Sequence, residues 1–237
     1  MHNQQSFWQL NKAVVLFALV ALTMPLWFPL INGYSGLDTK IMIFCIFLVG
    51  FDILLGFTGY LSFGHAAFFG IAAYSTGLML KNFSDNIIPA IIVAVIAATL
   101  VAIVIGLLTL KRTGIYFSIL TLAFAEMFHS MAMAMLQTWT GGENGLTGMP
   151  TPMLFDIKMQ GSAVFYFTAI MAIILFYVAK RIERSPVGLM MKAIKCNQTR
   201  LEYTGINARK YKLLAFVISA MYAAVAGALM VVYEPFV

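Results

Sequence analysis

The stretch Lys180–Lys212, KRIERSPVGLMMKAIKCNQTRLEYTGINARKYK, decides how the rest of the chain is arranged. It holds nine of the fifteen Lys and Arg residues and only two acids, Glu183 and Glu202. Apolar runs of membrane length flank it, Ser162–Ala179 and Leu213–Tyr233. Lys and Arg resist translocation across a bilayer, so a cationic loop between two such runs is expected on the cytoplasmic side. That expectation fixes the direction of every other run.

The chain is 62% hydrophobic and 10% charged, with a mean hydropathy of +0.91. Soluble domains carry roughly 25% charged residues. So much apolar surface cannot be hidden in a soluble core of 237 residues, and the bilayer must be the solvent. The expected fold class is all-α, a polytopic helical membrane protein of about seven transmembrane helices, with membrane lipid as a partner. The net charge of +6 is concentrated in one juxtamembrane loop, and no aromatic-plus-basic module accompanies it. This is positive-inside bias and gives no reason to expect nucleic acid. Cys45 lies in an apolar run and Cys196 in the basic loop, so neither a disulfide nor a metal site is expected of them. The first run is too long for a signal-peptide core and lacks a cleavage site, so it reads as a retained span.

Seven apolar segments are predicted as spans: about 13–31, 41–57, 65–80, 87–110, 115–136, 162–179 and 213–233. With 180–212 inside, alternation puts the N-terminus, 58–64 and 111–114 inside as well. Loops 32–40, 81–86 and 137–160, and the C-terminus, then fall outside. Twelve basic residues land inside against three outside (Lys40, Lys81, Lys158), which agrees with a direction set from one loop alone. Trp8, Trp27 and Trp139 fall near span ends, as interfacial aromatics should. The outer loop Gln137–Gln160 is Gly- and Pro-rich and too long for a bare connector, so it is expected to cover the outer surface.

Several motifs stand out inside this frame. Gly56–Gly70, GFTGYLSFGHAAFFG, interrupts an apolar stretch with four glycines and with Thr58, Ser62 and His65. Backbone opened at membrane depth is tolerated only where it is buried in protein or lines a cavity. Two readings stay open: a re-entrant break beside a solute path, or a plain inner turn. Small residues at four-residue spacing, Ala66/Gly70, Ala73/Gly77 and Ser219/Ala223/Gly227, predict close helix packing. Asp52 lies mid-run, as a path-lining or proton-relay group, as a hydrogen-bonded packing residue, or at a position nearer the inner surface than its place in the run suggests. Glu126 and His129 form a single E-x-x-H on one helical face; di-metal bundles need two copies, so no metal is expected. Ser185-Pro186 reads as an N-cap followed by proline at the first helical position. Val187, Met191 and Ile194 then share one face, and Gly205 can end the helix. No phosphate-cradling loop, nucleophile elbow or H-E-x-x-H is present, so no catalytic residue, cofactor or enzyme activity is expected.

Three blocks carry a resemblance. They are GFTGYLSFGHAAFFGIAAYSTG (Gly56–Gly77); GIYFSILTLAFAEM (Gly114–Met127) with TGGENGLTGMP (Thr140–Pro150); and RSPVGLMMKAI with GINARKYKLLAFVISAMYAAVAGAL, within Arg184–Leu229. Together they resemble the permease subunits of bacterial branched-chain amino acid ABC importers, the LivM-like type. The resemblance implies a single permease domain over 1–237 that pairs with a second permease subunit. Two cytoplasmic ATPase subunits would bind below it and a periplasmic solute-binding protein above. The location implied is the bacterial inner membrane, with the N-terminus cytoplasmic. Loop 180–212 would carry the coupling helix, with Ser185, Gly188, Lys195, Arg200, Glu202 and Gly205 as the ATPase-coupling residues. Thr58, Ser62 and His65 are expected to border the solute path, and Asn144 and Thr147 its outer mouth. Two departures stand out. Lys195, Cys196, Asn197 and Gln198 occupy positions where family members often carry acids, and His129 stands where Arg is expected. The family also continues past this length, which implies a chain incomplete at its C-terminal end. A urea or short-amide permease of the same family is an alternative. So is an ion-gradient-driven carrier, with Asp52 and Glu126 as relay groups.

Overall fold

Backbone amides in hydrocarbon have no water to bind, so a chain this apolar satisfies them within helices. The computed structural model describes residues 2–28, 33, 36–155 and 157–236, with side chains from Lys12 onward; Trp8 therefore lies outside the described side chains. The helices are α1 (His2–Trp27), α2 (Leu37–Thr58), α3 (His65–Asn82), α4 (Ile87–Thr109) and α5 (Ile115–Ser130), then a short α6 (Gln137–Thr140), α7 (Ser162–Glu183), α8 (Pro186–Tyr203) and α9 (Ala208–Tyr233). A π-helical turn, Met131–Met135, prolongs α5. A two-residue antiparallel hairpin pairs Met153 with Lys158 and Leu154 with Ile157. Helix starts carry the expected chemistry: Asn86 Oδ1 accepts from Ile88 N (3.1 Å), and Asn207 Oδ1 from Arg209 N (3.1 Å).

The fold is all-α and polytopic. Among the described residues, five helices are long and apolar enough to cross a membrane: α2, α4, α5 with its π-helical turn, α7 and α9. The other two expected spans are of a different kind. The apolar part of α1 is the shorter stretch Lys12–Trp27, and α3 has only 18 residues. The reason for the short α3 is where it begins, as the next subsection describes.

The bundle is built around α9, which packs against α2, α3 and α4. Its small residues allow this. A Cβ on Gly227 would run into the Phe69 backbone on α3, and one on Gly50 of α2 would overlap Tyr222 of α9. A second stripe does the same on α4, where Ala90, Ala94, Ala98 and Ala102 are all fully buried. Four-residue spacing keeps such residues on one helical face, so two backbones can approach. That alanine stripe was readable in the sequence and was not singled out there.

The ends of the bundle differ. At one end lie the C-terminal ends of α2, α4 and α7, the N-terminal ends of α5 and α9, and α8. They are tied there by Lys195 Nζ donating to Gly56 O (2.9 Å) and Arg209 to Leu107 O (3.1 Å). At the other end Lys40 pairs with Glu234 (2.6 Å), and Lys81 Nζ donates to Thr147 O (3.0 Å). Segments 111–114 and 180–212 thus share the basic end, where 58–64 begins, and 81–86 and 137–160 share the opposite one. Asp52 lies six residues from the α2 C-terminus, about 9 Å along the helix axis from the basic end and not at mid-span. It lines a shallow cleft there with Lys180 and Glu183.

Candidate functional site

The Gly-rich segment is a descending chain. Helix α2 stops at Gly59, whose φ of 77° closes the helix in the left-handed conformation. Residues 59–64 then run without helix into the bundle, and α3 starts at His65, in the interior. His65 Nε2 meets Ser219 Oγ at 2.6 Å, and Ser219 Oγ donates to Gly50 O at 2.6 Å. Ser219 is eleven residues along α9 from Ala208, about 16 Å from the basic end. Gly50 is eight residues from the end of α2, about 12 Å deep. The sequence left a turn and a re-entrant break open; the backbone enters the bundle.

The hydrogen-bond partners fix the tautomer. The Ser219 proton is committed to Gly50 O, so His65 must be the donor, as the Nε2–H form. Its Nδ1 has no hydrogen-bond partner among the described residues. Phe51, Phe68 and Phe216 stand edge-on to the ring, with centroids 5.2–6.1 Å away. His65, 2% exposed, therefore joins α2, α3 and α9. Ser62 is equally buried, and its Oγ accepts from Gly64 N at 3.2 Å. Thr58 Oγ1 donates back to Leu54 O at 2.6 Å.

Thr58 is as buried as the other two, at 2% exposure, but it stands in the wall of an open cleft. It lines a cleft of about 660 Å³ at the basic end, together with Tyr60, Ser118, Lys195 and Gln198. Behind the cleft is a group that sequence reading missed. Lys212 is 3% exposed; its ammonium donates to Tyr60 Oη (3.1 Å) and Gln198 Oε1 (3.3 Å) and lies 5.0 Å from the Tyr60 ring centroid. Among the described residues no carboxylate pairs with it. Tyr60 also donates to Gln198 (3.2 Å), and Gln198 donates to Glu202 (2.9 Å). This chain of bonds joins the descending segment, α9 and α8. The only sequence signal was a lysine abutting an apolar run, and the basic loop absorbed it.

Helix α8 starts as its sequence predicts: Ser185 Oγ accepts from Gly188 N (3.2 Å), with Pro186 in the first turn. Gly188 lies against the last carbonyls of α7, where a side chain would collide with Glu183 O at 2.7 Å. Met191 and Ile194 are buried against the bundle. The helix is not continuous over its length. Asn197 is extended (φ −163°, ψ 98°), and its Oδ1 accepts from Arg200 N at 2.9 Å, so it caps a second, shorter helix. Arg200 and Glu202 are exposed on that second piece, and Gly205 (φ 84°) follows its end.

Asn144 and Thr147 lie at the opposite end and are exposed in the loop after α6. Neither lines the cleft that Thr58 lines.

A second concavity opens sideways, between α3 and α5. It holds about 420 Å³ and is lined by Phe63, Ile71, Leu122, Phe128, Glu126 and His129. Glu126 is eleven residues from Ile115 and nine from Met135, so it stands near the middle of its span. Both ionisable side chains are exposed in the chain alone. A charge at that depth costs roughly 2.5–3.5 kcal/mol on insertion scales, so it faces protein or water and not lipid.

Five membrane-length helices among the described residues, around a buried, broken segment, define a polytopic α-helical membrane protein. The chain belongs to the family described as branched-chain amino acid transport system / permease component, whose model matches residues 33–236. It is 26% identical to the high-affinity branched-chain amino acid transport system permease protein LivM of Escherichia coli (strain K12), over 96% of this chain and 59% of that protein. The LivM protein of Salmonella typhimurium (strain LT2) is 25% identical over the same shares. The chain thus spans less than two thirds of the length of the curated relatives it matches. No solved structure matches it.

Proposed function

We propose that this chain is a membrane-spanning permease subunit of a bacterial ABC importer for leucine, isoleucine and valine. It performs no bond chemistry. It forms the solute path with a second permease, two ATPase subunits bind below, and a periplasmic binding protein delivers solute from above. The basic end is cytoplasmic and the inner membrane is the location. The N-terminus is also cytoplasmic, and the chain crosses the membrane seven times, the third crossing being made by the broken segment 59–64 together with α3. Residues 1–237 form one permease domain, within which 180–212 is the coupling loop.

One observation carries this reading: in a chain of this permease family, a serine-capped helix lies across the basic end and bonds to the broken segment. Lys195 holds Gly56 O at 2.9 Å, and Gln198 shares Lys212 with Tyr60. Movement of α8 is then movement of the backbone that borders the path. Nucleotide on the ATPases favours one arrangement of the permease pair, and α8 transmits that preference as differential binding to two states. Ser185 and Gly188 fix the start of the docking helix, Arg200 and Glu202 face the ATPase, and Gly205 ends it. Thr58 borders the path directly, with Ser62 and His65 holding the wall behind it. Asn144 and Thr147 belong to the outer mouth.

Purification of the tagged chain from its host tests the class. Recovery of an ATPase and a second permease is the expected result. Recovery of the chain alone, with uptake driven by a proton or sodium gradient, would make it a self-sufficient carrier. A co-purifying binding protein that holds urea or a short amide would change the solute and keep the class. For the coupling assignment, Glu202→Arg is expected to lower uptake per ATP hydrolysed; unchanged coupling would refute it.

A further inference from the structure

We infer that the groove between α3 and α5 is a binding subsite for an α-amino acid zwitterion, with Glu126 receiving the ammonium group and His129 the carboxylate. This rests on the transport reading above and adds the residues that recognise solute. Three observations meet there. Glu126 and His129 are an i, i+3 pair, so their Cβ atoms are about 5–6 Å apart on one face, a spacing that brackets the two charged groups on one α-carbon. Apart from the Tyr74 hydroxyl, the remaining wall, with Phe63, Ile71, Leu122 and Phe128, is apolar and suits a branched aliphatic side chain. The pair stands near mid-span in α5, of which only 17% is buried within this chain. Ionisable groups at that depth face a water-filled cavity or another protein. A groove of about 420 Å³ with one acid, one imidazole and an oily wall has the features of a small-ligand site. The second permease closes it from the lipid side.

The wall also offers a clean probe. Gly70 lines the groove, and a Cβ there meets nothing within 4 Å, so Gly70→Leu fills the space without disturbing the packing. The experiment uses the full complex with its partners, in proteoliposomes for uptake and in detergent, without the binding protein, for equilibrium leucine binding. Glu126→Gln is expected to weaken leucine binding at least tenfold while co-purification of the second permease stays within twofold. The wild type should prefer leucine over 4-methylpentanoate, which lacks the ammonium, by at least tenfold, and Glu126→Gln should lose most of that preference. Gly70→Leu should stop uptake in an intact complex. Unchanged leucine binding in Glu126→Gln, or loss of the second permease from that variant, overturns the subsite; the latter would make Glu126 an intersubunit contact. A wild-type complex that shows no ATP-driven leucine uptake overturns the transport reading itself, and the subsite with it.

Discussion

Helices α9 and α5 are both apolar enough to span a membrane and have opposite fates. Of its membrane span, α9 buries 78% within the chain and α5 only 17%. The difference lies in what each presents. Helix α9 offers Ser219, Ala223 and Gly227 to its neighbours, a surface low enough for backbones to touch. Helix α5 offers Ile115, Ile119, Leu122 and Met127, all exposed, with Glu126 and His129 among them. One helix completes the fold of this chain. The other remains a surface that something else must complete, because ionisable groups are not left facing lipid.

The largest effect should come from spoiling the low surface of α9. In Gly227→Leu, the first added carbon already meets the Phe69 carbonyl carbon at 2.9 Å, and this neighbour is backbone that cannot rotate away. Overpacking typically costs about 1–3 kcal/mol, and a backbone collision belongs at or above the top of that range. Thermal unfolding in detergent, followed by tryptophan fluorescence, should show a marked fall or no folded protein. An unaltered midpoint would mean that α9 is not the centre of the fold.

Next is the polar joint inside the same helix. Ser219→Ala leaves the buried His65 Nε2–H without its acceptor and strips from Gly50 O the donor it has beyond its helical one. Leaving buried polar groups unmade costs about 1–3 kcal/mol. Thermal midpoint and amide exchange in 59–65 report it, the second because the joint holds the descending segment in place. A midpoint within error of the wild type would mean that water replaces the hydroxyl.

Asn197→Ala tests the break in α8. It deletes the cap on Arg200 N, worth about 1 kcal/mol, in a helix that is exposed over this piece. Faster amide exchange at 198–203, with exchange in α9 unchanged, is the expected signature. If the two pieces instead fused into one regular helix, protection would rise.

What the sequence made legible divides along the same line. The cap at Ser185, the small-residue stripe of α9 and the two-ended arrangement of the charges are local or periodic, so they could be read from spacing. The depth at which α3 begins could not. It depends on His65 finding Ser219, 154 positions away. Lys212 looked like the last residue of a solvated basic loop because its burial depends on Tyr60 and Gln198 folding over it. Asn197 carried the chemistry of a cap, but a cap inside a helix is visible only once the backbone bends. Glu126 and His129 were noticed as a spacing and set aside for metal. The groove that gives them another use needs α3 beside α5, which no window on α5 alone reveals.

The smallest effect is expected on the exposed face of α5, and its smallness is informative. Ile119 is 58% exposed, so Ile119→Ala removes apolar contacts with lipid or detergent and not with this chain. Surface substitutions away from special features usually fall within about 0.5 kcal/mol, and the isolated chain should unfold at an unchanged midpoint. The same substitution in the assembled transporter removes contacts with whatever protein covers α5. A buried Ile truncated to Ala costs about 2–5 kcal/mol, so the complex should be measurably weakened, by co-purification yield or by midpoint. A variant neutral in both settings would show that Ile119 stays in lipid throughout and that the covering protein meets α5 on the Glu126 side alone. A variant that unfolds the isolated chain would erase the contrast between α5 and α9.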